Sequence, residues 1–507
     1  MPLLMWMLAC ITREPNPCPL GCETVDSAAD TAPIKDTADT GEPPQPVAIP
    51  TGCAPETQHE DPFVLIGSKM GSSSHDGGWF TEILDIAYLP NTAQVITAGQ
   101  GGVVLFNVQV PSNPELNGFV THDGTGGGRY YNVRPLDATL AWATHREFGL
   151  HVLNVGNPDQ PTRITTVDAQ GYEGLDVADG VLYVANTNGT VDLYDVQDPT
   201  DPQLLTQVTG LERPWDVRVQ DGHLYVADAV LGLVVYDLSE PTLPLLLTAV
   251  DSPGQPFRLD GEPGHVYMVS GAGGLEIFDV SDPSNPDRVS VSDVGGGALD
   301  VAVHDGLAGV VTQEAVVLLD IGRSGTPENP LPFAYEETEQ YAMTIDAQSG
   351  WWVVGDWGIM GMWQAGDVPA PAMDLSVDTV AFLDEAEQRE VYITNRGGDT
   401  LTLIGASMPD GVDVLVSTLN IAPGERASLF VDWDGKNALE EGMTLCLASN
   451  DPGRPTMTLN LSNGSSGKGQ AIGQDAPDFT LLDLDGVQHR LSEQIGHPVL
   501  LAYFATW

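Results

Sequence analysis

Aspartate side chains recur along the middle of the chain at a spacing of about 42 residues. Asp85, Asp176, Asp216 and Asp300 each open a short run of alternating apolar and polar residues, and Arg258 holds the same place in another run. If these runs surround a central channel, the carboxylates meet at its mouth and could bind a divalent cation such as Ca²⁺. The competing interpretation is structural, because short polar residues there commonly cap turns or hydrogen bond to the neighbouring unit.

Other sequence motifs of catalysis do not accompany these carboxylates. The sequence has no HExxH, P-loop or GxGxxG motif, and no Ser/His/Asp arrangement stands out. We therefore assign no metal ligand or catalytic residue here, and Ca²⁺ is the one cofactor that we carry forward as a hypothesis. A Ca²⁺-dependent hydrolase is the enzymatic alternative that the carboxylates leave open.

The strands that would position these residues repeat seven times. The residues opening each first strand follow one another at steps of 47, 44, 40, 42, 42 and 44, and they are Asp85, Asn132, Asp176, Asp216, Arg258, Asp300 and Thr344. Alternating apolar residues broken by Asp-Gly, Asn-Gly or Gly-Gly indicate hairpins of short strands. A period near 42 with four strands per unit predicts a seven-bladed β-propeller over residues 61–367, closed by residues 62–70 as the outer strand of the last blade.

The repeat also has a recognisable residue pattern. Gly-Leu, alternating apolar residues, Asp and a Pro-rich turn recur from Gly232 to Pro244 and from Gly274 to Pro286. This pattern resembles the LVIVD repeat family of bacterial surface proteins. The resemblance implies the propeller fold, and it implies no particular activity because that family has no settled common function.

A second all-β unit is predicted over residues 372–462. Short strands with Gly or Pro between them are typical of a β-sandwich. The segments 393–403, 421–431 and 445–455 resemble the Hydin-type immunoglobulin-like domains of surface proteins. Cys446 alternates with Leu445 and Leu447, so we interpret it as a small core residue of this unit.

After a linker over 463–471, the segment 472–507 resembles the start of the redoxin family, which is thioredoxin-like and α/β. The matching positions include Ala476 to Phe479, Asp485-Gly486 and Val499 to Trp507. In that family the strand that corresponds to Val499 to Trp507 is followed immediately by a Cys-x-x-Cys motif at the start of a helix. The dipole of that helix activates the first thiol. The resemblance places the catalytic cysteines immediately after Trp507, so residues 1–507 contain none of them. The ending of the segment favours a thiol-disulfide oxidoreductase over a peroxiredoxin. A selenocysteine codon read as a stop and a partial gene sequence are both open as explanations of this truncated end.

The beginning of the chain suggests export. Residues 1–22 form a leader in which Leu8-Ala9-Cys10 resembles a bacterial lipobox, and this resemblance implies that Cys10 carries the lipid anchor. Cys18, Cys22 and Cys53 could form disulfides in an oxidising compartment, with their connectivity open. Residues 23–60 are acidic and rich in Thr, Ala and Pro, which predicts a disordered tether.

The charge of the chain excludes some partners. Seventy-one acidic residues against 19 basic ones give a net charge of -52, which repels nucleic acid and anionic lipid headgroups. Basic partners and cations would be attracted, although solubility in a salty medium explains the same bias.

We therefore predict a secreted outer-membrane lipoprotein of the bacterial cell envelope, periplasmic or surface-facing. It acts as a binding or display scaffold and carries the start of a redoxin module. The alternative is an adhesion or recognition protein that binds a protein or glycan through the propeller face.

Overall fold

The described part of the chain is built from β-strands. The structure is a computed structural model, and it describes residues 6–7, 46–54, 61–70, 82–121, 128–382, 387–437, 439, 442–463, 480–482, 488–490 and 503–504. Every regular element in these ranges is a strand. No helix within them is long and apolar enough to cross a membrane. The predicted all-β class is confirmed for this part of the chain.

Seven four-stranded antiparallel sheets lie within the described residues, and we number them by the position of their first strand. Sheet 1 contains Glu82–Tyr88, Gln94–Gln100, Gly102–Asn107 and Glu115–Val120. Sheet 2 contains Tyr130–Pro135, Leu140–His145, Gly149–Asn154 and Thr162–Val167. Sheet 3 contains Tyr172–Ala178, Val181–Asn186, Thr190–Asp195 and Gln203–Thr209. Sheet 4 contains Pro214–Gln220, His223–Asp228, Gly232–Asp237 and Leu245–Val250.

The remaining three sheets follow the same order of strands, with one exception. Sheet 5 contains Arg258–Glu262, His265–Val269, Leu275–Asp279 and Asp287–Ser292. Sheet 6 contains Ala298–His304, Leu307–Thr312, Ala315–Asp320 and Leu331–Glu337. Sheet 7 contains Ala342–Gln348, Trp351–Asp356, Ile359–Ala365 and Phe63–Met70. Its fourth strand therefore comes from the N-terminal side and pairs with Ile359–Ala365, as the sequence pattern predicts.

Turn chemistry explains why the first two strands of a sheet form a hairpin. In sheet 4 the turn residues Asp221 and Gly222 have φ values of 49° and 73°. Two successive residues with positive φ define the turn whose twist matches that of the flanking strands, and Asp-Gly is among the sequences that adopt it most readily. Sheets 3 and 6 repeat this Asp-Gly turn at equivalent positions.

Apolar side chains fill the space between each pair of neighbouring sheets. Sheets 3 and 4, for example, share a cluster that contains the buried Tyr183, Leu193, Val226 and Val234. Similar clusters join the other neighbours, and one of them joins sheet 7 to sheet 1. The first strands of neighbouring sheets also contact one another, again including sheets 7 and 1. The sheets are therefore arranged in the manner of a propeller.

Two five-stranded sheets follow these seven and pack around one core. The first has the strand order Val47–Ala48, Val412–Val416, Arg426–Trp433, Glu387–Asn395 and Met373–Leu375. The second has the order Thr379–Phe382, Thr456–Asn463, Thr444–Ser449, Leu401–Ser407 and Asn420–Ile421. Side chains such as Ile393 and Leu429 from the first sheet meet Leu447 and Leu459 from the second. We call this unit the sandwich.

The N-terminal segment contributes to the sandwich, which corrects two sequence interpretations. Val47–Ala48 pairs with Val412–Val416, so residues 46–54 of the predicted tether are ordered. Cys446 is half-buried and forms a disulfide with Cys53 instead of serving only as a small core residue. A strand of two residues is too short to leave a periodic signal, which explains why composition alone predicted disorder over the whole tether.

Four short strands complete the described residues. Thr480–Leu482 pairs with Gln488–Arg490, and Trp6–Met7 pairs with Tyr503–Phe504. The predicted lipid anchor Cys10, the cysteines Cys18 and Cys22, and most of the redoxin-like segment lie outside the described residues.

Candidate functional site

The first-strand residues form two levels along the central channel, and the structure corrects the level of one of them. Strand register places Asp176 opposite Tyr183, just as Arg218 lies opposite Tyr225. Asp216 lies two residues earlier in its strand, opposite Ala227. Asp176 therefore belongs to a lower level than Asp216, and Gly174 is the residue of sheet 3 at the level of Asp216. The upper level, in sheet order, is Asp85, Asn132, Gly174, Asp216, Arg258, Asp300 and Thr344.

Close packing confirms the position of Gly174. A Cβ atom on this glycine would lie only 2.0 Å from Oδ1 of Asp216 in the next sheet. With Gly174 as the upper-level residue of sheet 3, the sequence separation from Asn132 to Gly174 equals that from Gly174 to Asp216. The spacing of polar residues concealed this, because sheet 3 has an aspartate two residues after the glycine.

The carboxylates of the upper level bind the backbone of the neighbouring sheet. Asp85, Asp216 and Asp300 each accept a hydrogen bond from a backbone N–H in the first strand of the next sheet. The donor residue directly follows the upper-level residue of that sheet. The donors and distances are Val133 to Asp85 at 2.7 Å, Leu259 to Asp216 at 2.9 Å and Ile345 to Asp300 at 3.1 Å. Thr344 also donates its hydroxyl to Asp300 at 2.7 Å. These contacts agree with the structural interpretation of the recurring aspartates.

The lower level repeats the same contact two residues further along. The donors and distances are Val219 to Asp176 at 2.8 Å, Val303 to Asp260 at 2.7 Å and Tyr88 to Asp346 at 2.9 Å. The last of these joins sheet 7 to sheet 1. We call the six carboxylate contacts of the two levels the latches, because each one links two neighbouring sheets.

Arg258 crosses the channel at the upper level. Its Nη2 donates to the backbone oxygen of Tyr131 at 2.9 Å, in sheet 2. Its guanidinium also lies 3.9 Å from Asp85 and 4.0 Å from Asp216. A side chain from sheet 5 thus reaches sheets 1, 2 and 4, and it supplies positive charge to the carboxylates around it.

Burial dominates the electrostatics of this level. It raises the pKa of Asp85 to about 7 and that of Asp216 to about 6, while Arg258 acts in the opposite direction on both. Burial also raises the pKa of Asp300. Desolvation disfavours the ionised carboxyl, and a single guanidinium offsets only part of that cost.

The predicted cation site is not assembled in the described part of the chain. A cavity of about 310 Å³ is lined by both levels of first-strand residues. Within the described residues, however, no three His, Cys, Asp or Glu side chains are grouped in a way that could hold a metal ion. One oxygen of each upper-level carboxylate instead accepts a backbone N–H of the neighbouring sheet.

Sequence reasoning missed a cluster of aromatic and arginine side chains beside the upper level. Tyr131, Trp215 and Phe257 each precede an upper-level residue, in sheets 2, 4 and 5. The rings of Trp215 and Phe257 are 5.6 Å apart, and the Arg146 guanidinium lies 3.9 Å from the centre of the Tyr131 ring. We call Arg129, Tyr131, Arg146, Arg213, Trp215 and Phe257 the rim cluster. An aromatic residue immediately before the first-strand position is the signal that could have revealed it.

The rim cluster is only partly neutralised by its own carboxylates. Arg129 pairs with Glu82 at 2.6 Å, and Arg146 pairs with Glu173. Arg213 is exposed and lies 5.1 Å from the Trp215 ring centre, with no ion-pair partner in the described residues. Burial lowers the pKa of Arg146, and repulsion from Arg213, Arg129 and Arg258 contributes to this shift. Positive charges are therefore crowded together at the channel mouth.

Comparisons with known proteins match two parts of this picture. The LVIVD repeat family matches residues 213–252 and 264–292, which span sheet 4 and most of sheet 5. The thiol-disulfide oxidoreductase ResA of Geobacillus kaustophilus is 51% identical over 37 residues, which are 7% of this chain and 21% of that protein. The chain thus spans about a fifth of this curated relative. LVIVD repeats and a short oxidoreductase-like stretch are present in the chain.

A solved structure of Raptor from Chaetomium thermophilum also aligns with the chain. The alignment has a TM-score of 0.49 at 9% sequence identity, and it covers 60% of this chain and 29% of the Raptor chain.

Proposed function

We propose that this chain is a binding scaffold of the bacterial cell envelope, in which a closed seven-bladed β-propeller presents its channel mouth to a protein or glycan. The rim cluster is the observation that carries this proposal. Arg–aromatic contacts among half-buried and exposed side chains on a rigid support are typical of binding surfaces. The latches support the rigidity, because they tie first strands to their neighbours at two levels.

The sandwich, which we propose to be immunoglobulin-like over residues 372–462, contacts the propeller through Arg396 and Arg454. Arg396 pairs with Asp374 in the sandwich at 3.1 Å and with Asp293 beside sheet 6 at 3.7 Å. Arg454 pairs with Glu337 of sheet 6 and lies 5.5 Å from the Tyr335 ring centre. These bridges support a platform in which the sandwich adjoins sheet 6 of the propeller.

The position in the cell is the second part of the proposal. A lipobox-like Cys10 would anchor the chain to the outer membrane, with the remaining part of the 23–60 segment as a spacer. The disulfide between Cys53 and Cys446 supports an oxidising compartment. The net charge of -52 disfavours nucleic acid as a partner.

Thiol-disulfide exchange is a second candidate function. The similarity to ResA extends over 37 residues, about the length of the redoxin-like segment 472–507. We propose that this segment begins a redoxin module whose cysteines would follow Trp507. An extended gene product should then reduce insulin disulfides, whereas residues 1–507 should not, and an inactive extended product would refute this candidate.

A capture experiment tests the scaffold proposal. Residues 1–507 are immobilised and exposed to a solubilised envelope fraction, and retained components are identified by mass spectrometry. The Arg213→Glu variant should lose a component that the intact chain retains. Arg426→Glu is the matched control, because Arg426 is also exposed and stacks at 4.5 Å on an aromatic ring, that of Tyr392 in the sandwich. Equal retention by all three proteins would contradict a binding role for the rim cluster.

A further inference from the structure

Arginine is unusually concentrated at the mouth of the channel. Residues 61–366 contain only ten basic residues, and four of them, Arg129, Arg146, Arg213 and Arg258, gather around this mouth. The Arg146 guanidinium lies within 5.1 Å of the Trp215 ring centre, and the Arg213 guanidinium lies at the same distance from that ring. Three of these guanidinium groups already lie beside carboxylates of the chain, which are Glu82, Glu173, Asp85 and Asp216. Arg213 has no ion-pair partner in the described residues, and an anionic ligand would supply one.

One hydrogen-bond donor at the same place lacks an acceptor. The indole Nε1 of Trp215 is buried, and it has no hydrogen-bond partner among the described residues. A buried donor without an acceptor is rare in folded proteins, and each case calls for an explanation. The exposed Arg213 guanidinium lies 5.1 Å from the centre of the same ring, so a ligand that binds this guanidinium also comes close to the indole N–H.

The chemistry of these donors suits an oxyanion, and a carboxylate is the oxyanion that unmodified protein side chains carry. A guanidinium stacked on an aromatic ring keeps its in-plane N–H groups directed sideways, where a carboxylate can accept two of them. The second carboxylate oxygen can also accept from an indole N–H. The faces of Tyr131 and Trp215 are already covered by guanidinium groups, which leaves them unsuited to stacking on a sugar ring.

We propose that the rim cluster binds a carboxylate-rich segment of a partner protein, with Arg213 and Trp215 as its central contacts. This inference rests on the proposed binding function and names the partner chemistry of the same site. A local basic site in a chain of charge -52 also has a characteristic dependence on salt. At about 0.01 M salt the Debye length is about 30 Å, so the whole acidic surface repels the ligand. At about 0.1 M salt it is about 10 Å, so mainly the nearby arginines act on the ligand.

Fluorescence polarisation of labelled poly-L-glutamate with residues 1–507 tests the proposal. We expect saturable binding that strengthens from about 0.01 M to about 0.1 M salt and weakens again at about 1 M, where the Debye length is about 3 Å. Arg213→Glu should weaken binding at least about tenfold, because it replaces attraction by repulsion. Trp215→Phe, which keeps the ring and removes the donor, should weaken it several-fold, and Arg426→Glu should have no effect.

Three outcomes would overturn the proposal. They are the absence of saturable poly-L-glutamate binding near 0.1 M salt, an equal effect of Arg213→Glu and Arg426→Glu, and tighter binding of polygalacturonate, which would assign the site to an acidic glycan. The broader binding function fails separately. If the capture experiment shows a partner that depends on Arg213 while poly-L-glutamate does not bind, the site binds a partner of other chemistry.

Discussion

Replacing Arg258 by Met should remove the positive charge that offsets the buried carboxylates at the upper level of the channel. Arg258 is the guanidinium nearest to the buried Asp85 and Asp216, and its side chain is only 15% exposed. Removing one partner from a buried ion pair typically costs about 3–5 kcal/mol, because the other charge stays buried without compensation. The backbone oxygen of Tyr131 also loses its donor, which costs about 1–3 kcal/mol at any pH.

The charge-dependent part of this loss should vary with pH. The pKa of Asp85 is raised from 3.8 to about 7, so the folded chain binds this proton more tightly than the unfolded chain does. Stability therefore falls as pH rises from about 4 to about 7, and at about 1.36 kcal/mol per pKa unit the full effect is about 4 kcal/mol. Asp216 contributes in the same direction, up to about pH 6. Without Arg258 the pKa values of Asp85 and Asp216 rise further, so the fall in stability extends to higher pH.

Urea denaturation at about pH 5 and about pH 8 measures the difference. At the lower pH Asp85 and Asp216 are mostly protonated in the folded chain, so the variant should lose only the carbonyl contact. At the higher pH its loss should be larger by about 3 kcal/mol or more. Arg323→Met is the control for the pH dependence. Arg323 pairs with the exposed Asp305 and donates to the backbone oxygen of Gly366, so its loss should cost the same at the two pH values. Equal losses for Arg258→Met at the two pH values would refute the reasoning.

Three further experiments test other parts of the structure. Gly174→Ala should destabilise the chain by about 1–3 kcal/mol in urea denaturation, because its Cβ would collide with the Asp216 carboxylate, whereas Gly297→Ala, which has open space around it, should change stability by less than about 0.5 kcal/mol. Cys53→Ser should lower the denaturation free energy by about 2–5 kcal/mol relative to the oxidised chain, and the reduced wild type should match the variant. Added Ca²⁺ or chelator should leave the melting temperature unchanged. A gain in unfolding free energy near 2.7 kcal/mol, at Ca²⁺ about a hundredfold above its Kd, would instead support the cation-site hypothesis.

The sequence predicted the strand pattern well because the fold repeats its own turn chemistry. Asp221-Gly222 and its equivalents mark hairpins, and Phe63–Met70 has the composition of a fourth strand, so its pairing with Ile359–Ala365 could be anticipated. Register is harder to infer. Asp176 of sheet 3 lies one level below Asp85, Asp216 and Asp300, and the pairing of Asp176 with Tyr183 shows this.

Contacts between distant parts of the chain were the main limit on predicting the site. The disulfide joins cysteines 393 residues apart, and no spacing rule points to such a pair. The rim cluster draws Arg146 from a hairpin of sheet 2 and Arg213 from the turn before sheet 4. Neither residue recurs in every unit, so a search for repeated positions could not find them.

The origin of sheet 7 has a consequence for synthesis of the protein. Phe63–Met70 leaves the ribosome before any other strand of the seven sheets, yet its partner Ile359–Ala365 is made almost last among them. Until then the nascent chain has unpaired strand edges at both ends of the array, and such edges favour pairing with other molecules. During export and folding, Phe63–Met70 must therefore stay unpaired until Ile359–Ala365 has been made. A cell that makes this protein should depend on holdase chaperones during that interval.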